Sequence, residues 1–210
     1  MSKGLFISIE GHDGSGKTTQ IAFIKKYLEE KGFSPVITRD PGGTVVSEKI
    51  REILLNNPMN YMTELLLFAA ARKELEERVI IPAVDLGMVV ISDRWFDSTY
   101  AYQGYGRGLT EDIERVFELV KPIVPSYTFF LQLPLIESID RITKRSDDIT
   151  ADRFDQADLE FKTKVHQGYI DQCFRNPNRA IPIDASLSIE DVSLHISKVL
   201  DTLIIPKLQK

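Results

Sequence analysis

The chain has 210 residues, 43% of them hydrophobic and 27% charged, with a formal net charge of −5 at pH 7. That length suits one globular domain with a full core, and the acidic surplus argues against non-specific nucleic-acid binding, which needs basic charge to displace counterions. The single Cys173 excludes an intrachain disulfide and a cysteine-based zinc site, fits a reducing cytosol, and reads as a small apolar filler on a helix.

The opening residues, "MSKGLF", lead into a strand over 5–10 without an apolar signal segment. No later run is long enough to span a bilayer, so a soluble cytoplasmic protein without a membrane partner is expected. Helix 17–31 follows, then strand 35–39, helices 44–56 and 62–86, and strand 88–92. A polar loop with a short helix leads to helix 111–120, strand 127–133 and helix 134–145. Beyond the polar stretch 146–152 come helix 154–174, strand 180–184 and helix 189–203. Near-continuous apolar strands such as "MVVIS" and "TFFLQL" suit burial on both faces, as in a parallel sheet covered by helices. No repeat, low-complexity segment or linker divides the chain. The expectation is one α/β domain over 1–210, a doubly wound, five-stranded parallel sheet.

Between the first strand and helix, Gly11-His12-Asp13-Gly14-Ser15-Gly16-Lys17-Thr18 fits G-x-x-x-x-G-K-[ST] without a gap. Glycines there let backbone N–H groups converge on phosphates, and the helix N-terminus adds a favourable dipole. Lys17 is placed to reach the outer phosphates and the Thr18 hydroxyl to meet Mg²⁺. Residues Gly11 through Thr18, with Thr19, are therefore expected to bind ATP or GTP. A guanine-nucleotide switch is the competing class. "DPGG" at 40–43 matches its D-x-x-G element, but no base-reading [NT]-K-x-D is present, "TKRSD" failing by one residue.

Three other stretches carry recognition chemistry. Strand 88–92 ends in Asp93-Arg94, at the sheet edge where such folds bind ligands. An acid there suits Mg²⁺ or its waters, and the arginine suits a second phosphate. "DSTYAYQGYGRG", from Asp97, holds three tyrosines, hydroxyls and an amide, more than a connector needs. "LLLFAAARKEL" places Phe68 and Arg72 on one helix face, a ring to stack on a base and a guanidinium to meet its carbonyl edge. Taken alone, Phe68 reads as core and Arg72 as surface. "TRDPGGT", 38–44, reads alone as a Pro-Gly turn.

The P-loop, "TRDPGGT", "LLLFAAARKE", "SDRWFDSTYAYQG" and "DRFD" occur together in the order and spacing of the thymidylate kinases, and the chain resembles the bacterial type in particular. The resemblance implies a P-loop kinase with a small mobile lid at about 142–153. The reaction implied is transfer of the ATP γ-phosphate to dTMP, with Mg²⁺, in a homodimer. Carried over by position, Lys17 and Thr18 serve ATP and Mg²⁺, and Asp93 helps to hold the metal through water. Asp13 positions the acceptor's 3′-hydroxyl and phosphate region, and Arg94 holds its phosphate, with Arg39 beside it if that loop folds as in the family. Phe68 stacks on thymine and Arg72 addresses its O4. Ser98, Thr99 and Gln103 line the pocket, Tyr102 lies under the deoxyribose, and "IDAS", 183–186, resembles the adenine-lining segment.

Two positions depart from patterns in the family. Asp40 stands where Glu is usual, and Gly14 stands where one branch carries an arginine. Lacking that arginine, the chain offers Arg141, Lys144, Arg145 and Arg153 around the lid, and Arg145 and Arg153 are expected to act on the transferring phosphoryl. His12 reads as a variable loop position, and His166 and His195 as helix surface. Gln167, Tyr169 and Gln172 are within reach of a substrate only on weaker grounds. The alternatives are a kinase for a 5-modified deoxyuridylate, or a nucleotide-dependent switch or binding module.

Overall fold

The computed structural model describes residues 4–145, 153–154 and 156–209, so expectations for 146–152 fall outside the described residues, as does the side chain of Arg145. Five strands, β1 (Leu5–Glu10), β2 (Val36–Arg39), β3 (Val89–Asp93), β4 (Tyr127–Gln132) and β5 (Ala180–Asp184), form one parallel sheet in the order β2-β3-β1-β4-β5. Each lies within a residue of its expected span. Burial of β1, β3 and β4 on both faces explains their unbroken apolar runs.

The helices are α1 (Lys17–Glu30), α2 (Val45–Asn56), α3 (Tyr61–Leu75), α4 (Ile81–Asp85), α5 (Phe96–Thr99), α6 (Thr110–Val120), α7 (Leu135–Arg145), α8 (Leu159–Arg175), α9 (Ile189–Val199) and α10 (Ile205–Leu208). One face of the sheet packs on α1, α9 and α10 through Ile24, Leu28, Ile196 and Leu208. The other buries Phe6, Leu75, Ile80 and Trp95 on one side, and Phe130, Phe161, Val165 and Cys173 on the other. Cys173 is thus the buried filler expected.

Two differences from the expected helices have local causes. The run expected as one helix over 62–86 widens by a turn at Glu76–Ile80 before α4. Pro82 lacks an N–H and its ring crowds the carbonyl four residues back, so the backbone loosens there; the same widening, Leu200–Ile204, precedes Pro206. Helix α8 begins at 159, not 154, because the Asp158 carboxylate caps it by accepting the Phe161 N–H at 2.7 Å. That frees Phe154 to turn toward the site.

Among the described residues no helix is long and apolar enough to cross a membrane.

Candidate active site

The glycine-rich turn leaves β1 and enters α1 with Gly14 and Gly16 at positive φ, 79° and 90°. A side chain at Gly14 would crowd its neighbours: a Cβ would stand 3.0 Å from the Ser138 carbonyl and 3.3 Å from Arg141 Cβ. The missing loop arginine therefore has a steric reason in this chain as well as a conformational one. Lys17 is buried, and its Nζ donates to the carbonyls of Gly11 and His12, both at 3.0 Å, with Asp13 Oδ1 at 3.5 Å. The ammonium thus lies folded over the loop it serves. Burial, with Arg94 nearby, lowers its pKa. Arg141 spans the neighbouring edge, donating to the carbonyls of Gly14 at 3.4 Å and Ala185 at 3.1 Å.

Arg94 sits at the tip of β3 with φ 67°, a conformation unusual outside glycine. Its guanidinium is the hub of the site. Nη1 donates to the Gly11 carbonyl at 3.0 Å and to the Tyr169 hydroxyl, and Nη2 donates to Asp13 Oδ1 at 2.6 Å. Burial opposes ionisation of Asp13, but Arg94 and Lys17 outweigh it and hold the carboxyl well below the usual range. The Tyr102 hydroxyl donates to the other Asp13 oxygen at 3.1 Å, and Arg94 stands over its ring at 5.3 Å.

Two buried acids hold this tip in place. Glu10 accepts the Trp95 N–H at 2.7 Å and the Ser98 hydroxyl at 2.6 Å. Burial, with the Asp97 carboxylate close by, pushes Glu10 up to about 8. Asp97 receives Arg179 through both guanidinium ends, at 2.7 and 2.8 Å, which ties α5 to the start of β5.

One cavity gathers most of the expected acceptor residues: Asp13, Phe68, Arg72, Arg94, Tyr102 and Gln103 line it, along with Ser98 and Thr99. The bland reading of Arg72 as surface is reversed, since it is 2% exposed. Its Nε donates to Asp40 Oδ2 and its Nη2 to Thr99 Oγ1, both at 2.7 Å, while Nη1 is buried without a partner. Asp40, in a turn that opens with a cis peptide to Pro41, thus orients Arg72, which gives "DPGG" a role unlike that of a switch element. Phe68 is half-buried, 6.3 Å from Phe154, and presents its ring to the cavity. With the acceptor that the resemblance implies, Phe68→Ala is expected to raise the KM for dTMP by a factor corresponding to about 1–3 kcal/mol, by analogy with base–aromatic stacking, and to leave the KM for ATP unchanged. Steady-state kinetics with each substrate varied checks this; a large loss of stability with both KM values affected alike would make Phe68 a core residue.

The structure separates some residues that the sequence grouped. Arg39 turns to Glu48, at 2.7 and 3.2 Å, and lines a neighbouring cavity with Thr18 and Asp93; the cavity of Phe68 and Arg72 takes Arg51 in its place. Arg51 lies four residues after buried Ser47 and three before buried Leu54 on α2, a spacing that marks the inward face. Arg153 is held by Glu64 at 2.6 Å and the Leu54 carbonyl at 2.5 Å, which gives it an anchoring position beside the cavity. Tyr169 joins the site through Arg94 and Ser98, whereas Gln167 turns to Asp171 and Gln172 to Asn176. No motif marks Glu10 or Glu64 in the sequence; the signal for Glu64 is its spacing, four and eight residues before Phe68 and Arg72 on the same face.

His12 and His166 are neither a free loop position nor plain surface: their rings stack at 5.0 Å, with Tyr169 5.4 Å from His12. His195 is exposed, as expected. Burial, and then His166, lowers the His12 pKa to about 3 from an ordinary 6.5. The folded protein keeps this ring neutral while the unfolded chain takes up a proton below pH 6.5, so the stability involved is present above 6.5 and lost as pH falls toward 3. Replacing it by a ring that does not titrate, His12→Phe, is expected to flatten the acid-side loss by up to about 1.4 kcal/mol per pH unit over that window. Denaturant titrations of both proteins at several pH values read the difference; parallel slopes would mean that His12 titrates normally.

The cavity shared by Thr18, Thr38, Arg39, Glu48 and Asp93 measures about 380 Å³. Asp93 Oδ1 is buried there without a partner. A carboxylate oxygen and a hydroxyl beside a phosphate loop suit a hard cation that keeps waters and shares phosphate oxygens. Among the described residues there is no cluster of three or more His, Cys, Asp or Glu side chains that would hold a metal unaided.

A parallel sheet with a phosphate loop at the end of β1, and an arginine-centred second cavity at the end of β3, defines a P-loop phosphotransferase of the nucleoside monophosphate kinase class. The family model for thymidylate kinase matches residues 9–196, and the chain belongs to that family. It is 42% identical to the thymidylate kinase of Thermoanaerobacter sp. (strain X514) over 201 residues, covering 94% of this chain and 97% of that protein. It is 42% identical to the thymidylate kinase of Chlorobaculum tepidum over 213 residues, covering 95% and 98%. The crystal structure of thymidylate kinase from Ehrlichia chaffeensis superposes with a TM-score of 0.77 at 34% identity, covering 95% of this chain and 99% of that one.

Proposed function

We propose that the protein transfers the γ-phosphoryl group of ATP to the 5′-phosphate of dTMP, giving dTDP and ADP. The observation that carries this reading is the convergence of Phe68, Arg72, Arg94, Tyr102 and Gln103 on one cavity beside the phosphate loop. In this assignment Phe68 stacks on thymine, and the unpartnered Nη1 of Arg72 donates to O4. Tyr102 lies under the deoxyribose, Asp13 positions its 3′-hydroxyl, and Ser98 and Thr99 complete the wall. Arg94 holds the acceptor phosphate, joined by Arg51.

The acceptor phosphate is already an anionic nucleophile, so no residue need act as a strong base. The protein's work is positioning and neutralisation of charge on the transferring group. On binding ATP, Lys17 exchanges the Gly11 and His12 carbonyls for phosphate oxygens, and the first-turn N–H groups of α1 meet the phosphates. Thr18 and Asp93 are assigned to Mg²⁺, which when bound neutralises charge on the outer phosphates. Arg145 and other lid residues are assigned to closure over ATP, Arg153 to the root of that lid, and Asp184 and Ser186 to the adenosine side. A homodimer and a cytoplasmic location belong to the same reading, with the family resemblance as their support, and sedimentation of the purified protein tests the former.

A coupled assay with ATP, run separately with dTMP, dUMP, dCMP and dGMP, tests the reading. Turnover is expected to require an acceptor and to be fastest with dTMP. Acceptor-independent hydrolysis would restore the switch reading, and a preference for another base would redirect the substrate.

A further inference from the structure

Glu64 is 0% exposed and its partners Gln103 and Arg153 place it beside the acceptor cavity. Its Oε1 accepts Gln103 Nε2 at 2.7 Å and its Oε2 accepts Arg153 Nη1 at 2.6 Å, with Arg107 Nε 3.6 Å from Oε1. A carboxylate between two guanidinium groups offers acceptors only. The Gln103 amide can therefore meet it only through its NH₂ group. This follows from hydrogen-bond chemistry, whichever way an amide would otherwise be placed. The carbonyl oxygen of Gln103 is then left for the cavity that Gln103 lines.

We propose that Glu64 is a positioning residue that determines base specificity: by fixing the Gln103 amide, it makes the pocket present an acceptor to the N3–H of an imide base. This rests on the acceptor being a pyrimidine monophosphate in that cavity. Thymine and uracil carry a donor at N3 and a carbonyl at C4, which match the Gln103 oxygen and the free Nη1 of Arg72. Cytosine carries an acceptor at N3 and an amino group at C4, and mismatches both. A site built to satisfy hydrogen bonds rejects an analogue that leaves its buried groups unpaired far better than an apolar pocket rejects a methyl group.

Glu64→Gln reverses the pattern for a stated reason. Arg153 Nη1 needs an acceptor, so the new amide turns its oxygen toward Arg153 and its NH₂ toward Gln103. Two NH₂ groups cannot face each other, so the Gln103 amide turns over and offers NH₂ to the base. The kcat/KM for dTMP is expected to fall tenfold or more while that for dCMP holds or rises, so the preference for dTMP over dCMP drops at least tenfold. The KM for ATP is expected to stay within twofold. Gln103→Ala alone is expected to lower the preference by a similar factor, and it is read independently if Glu64→Gln does not fold. Adding Glu64→Gln to Gln103→Ala is expected to change the preference by less than twofold, because the effect passes through the missing amide.

A preference unchanged in Gln103→Ala, an equal loss for both substrates in Glu64→Gln, or effects of the two substitutions that multiply would each overturn the proposal. Failure of the unsubstituted protein to phosphorylate any pyrimidine monophosphate would instead overturn the functional reading on which it rests.

Discussion

Replacing Lys17 by alanine is expected to lower kcat by at least about 100- to 1000-fold, the scale seen when one preorganised donor to transition-state charge is removed. The side chain is buried against the carbonyls of Gly11 and His12, not exposed at a helix start as its position in the sequence suggests. Those two bonds hold the ammonium in place without substrate, so their loss leaves two carbonyl acceptors beside a loop that opens to solvent. Burial of the ammonium is itself unfavourable, as its lowered pKa records. The two effects oppose each other, and the stability of the variant should change little. Circular dichroism and denaturant unfolding check the fold, and turnover with both substrates saturating checks the chemistry. Near-normal turnover by a folded variant would remove the phosphate-loop assignment.

Arg94 carries the second large effect. Its guanidinium joins Gly11, Asp13, Ser98 and Tyr169, so it is preorganised before any ligand arrives. Arg94→Ala removes the acceptor phosphate's cation and leaves Asp13 with Lys17 as its remaining counter-charge. The kcat/KM for dTMP should fall by about 100-fold or more, the order of a lost charge-assisted, positioned contact in a partly desolvated site. Arg94→Lys keeps the charge but loses the planar fork, and should recover only part of the loss. Equal activity in both variants and the unsubstituted protein would assign Arg94 to structure alone. Because the residue has φ 67°, Arg94→Gly should be the more stable of the deletions, and its activity separates backbone strain from the loss of charge.

Much of this protein is legible in its amino-acid sequence. The alternation of apolar strands with amphipathic helices specifies a parallel sheet because strands covered on both faces cannot alternate polar and apolar residues. The phosphate loop is readable because every requirement it meets is local: a strand, glycines at positive φ, and a helix N-terminus within one short stretch. Phe68 and Arg72 could be paired because helical spacing alone puts them on one face.

What the sequence could not supply were properties created by residues distant in the chain. The burial of Arg72 depends on Asp40 and Thr99, 32 and 27 positions away. The turn of Arg39 to Glu48, and the place that Arg51 takes at the cavity, depend on how the loop after β2 meets α2. His12 loses its basicity through burial and the nearness of His166, whose ring α8 stacks against it. Glu10 and Glu64 read as ordinary acids until tertiary packing surrounds them with N–H and guanidinium donors. The strands and the phosphate loop are readable from the chain alone because they rest on short-range sterics and periodicity, and the family because its motifs keep their order and spacing. Tertiary structure decided which charges are buried, which partners they meet and which atoms remain free for a ligand, because electrostatics and desolvation act through space and not along the chain.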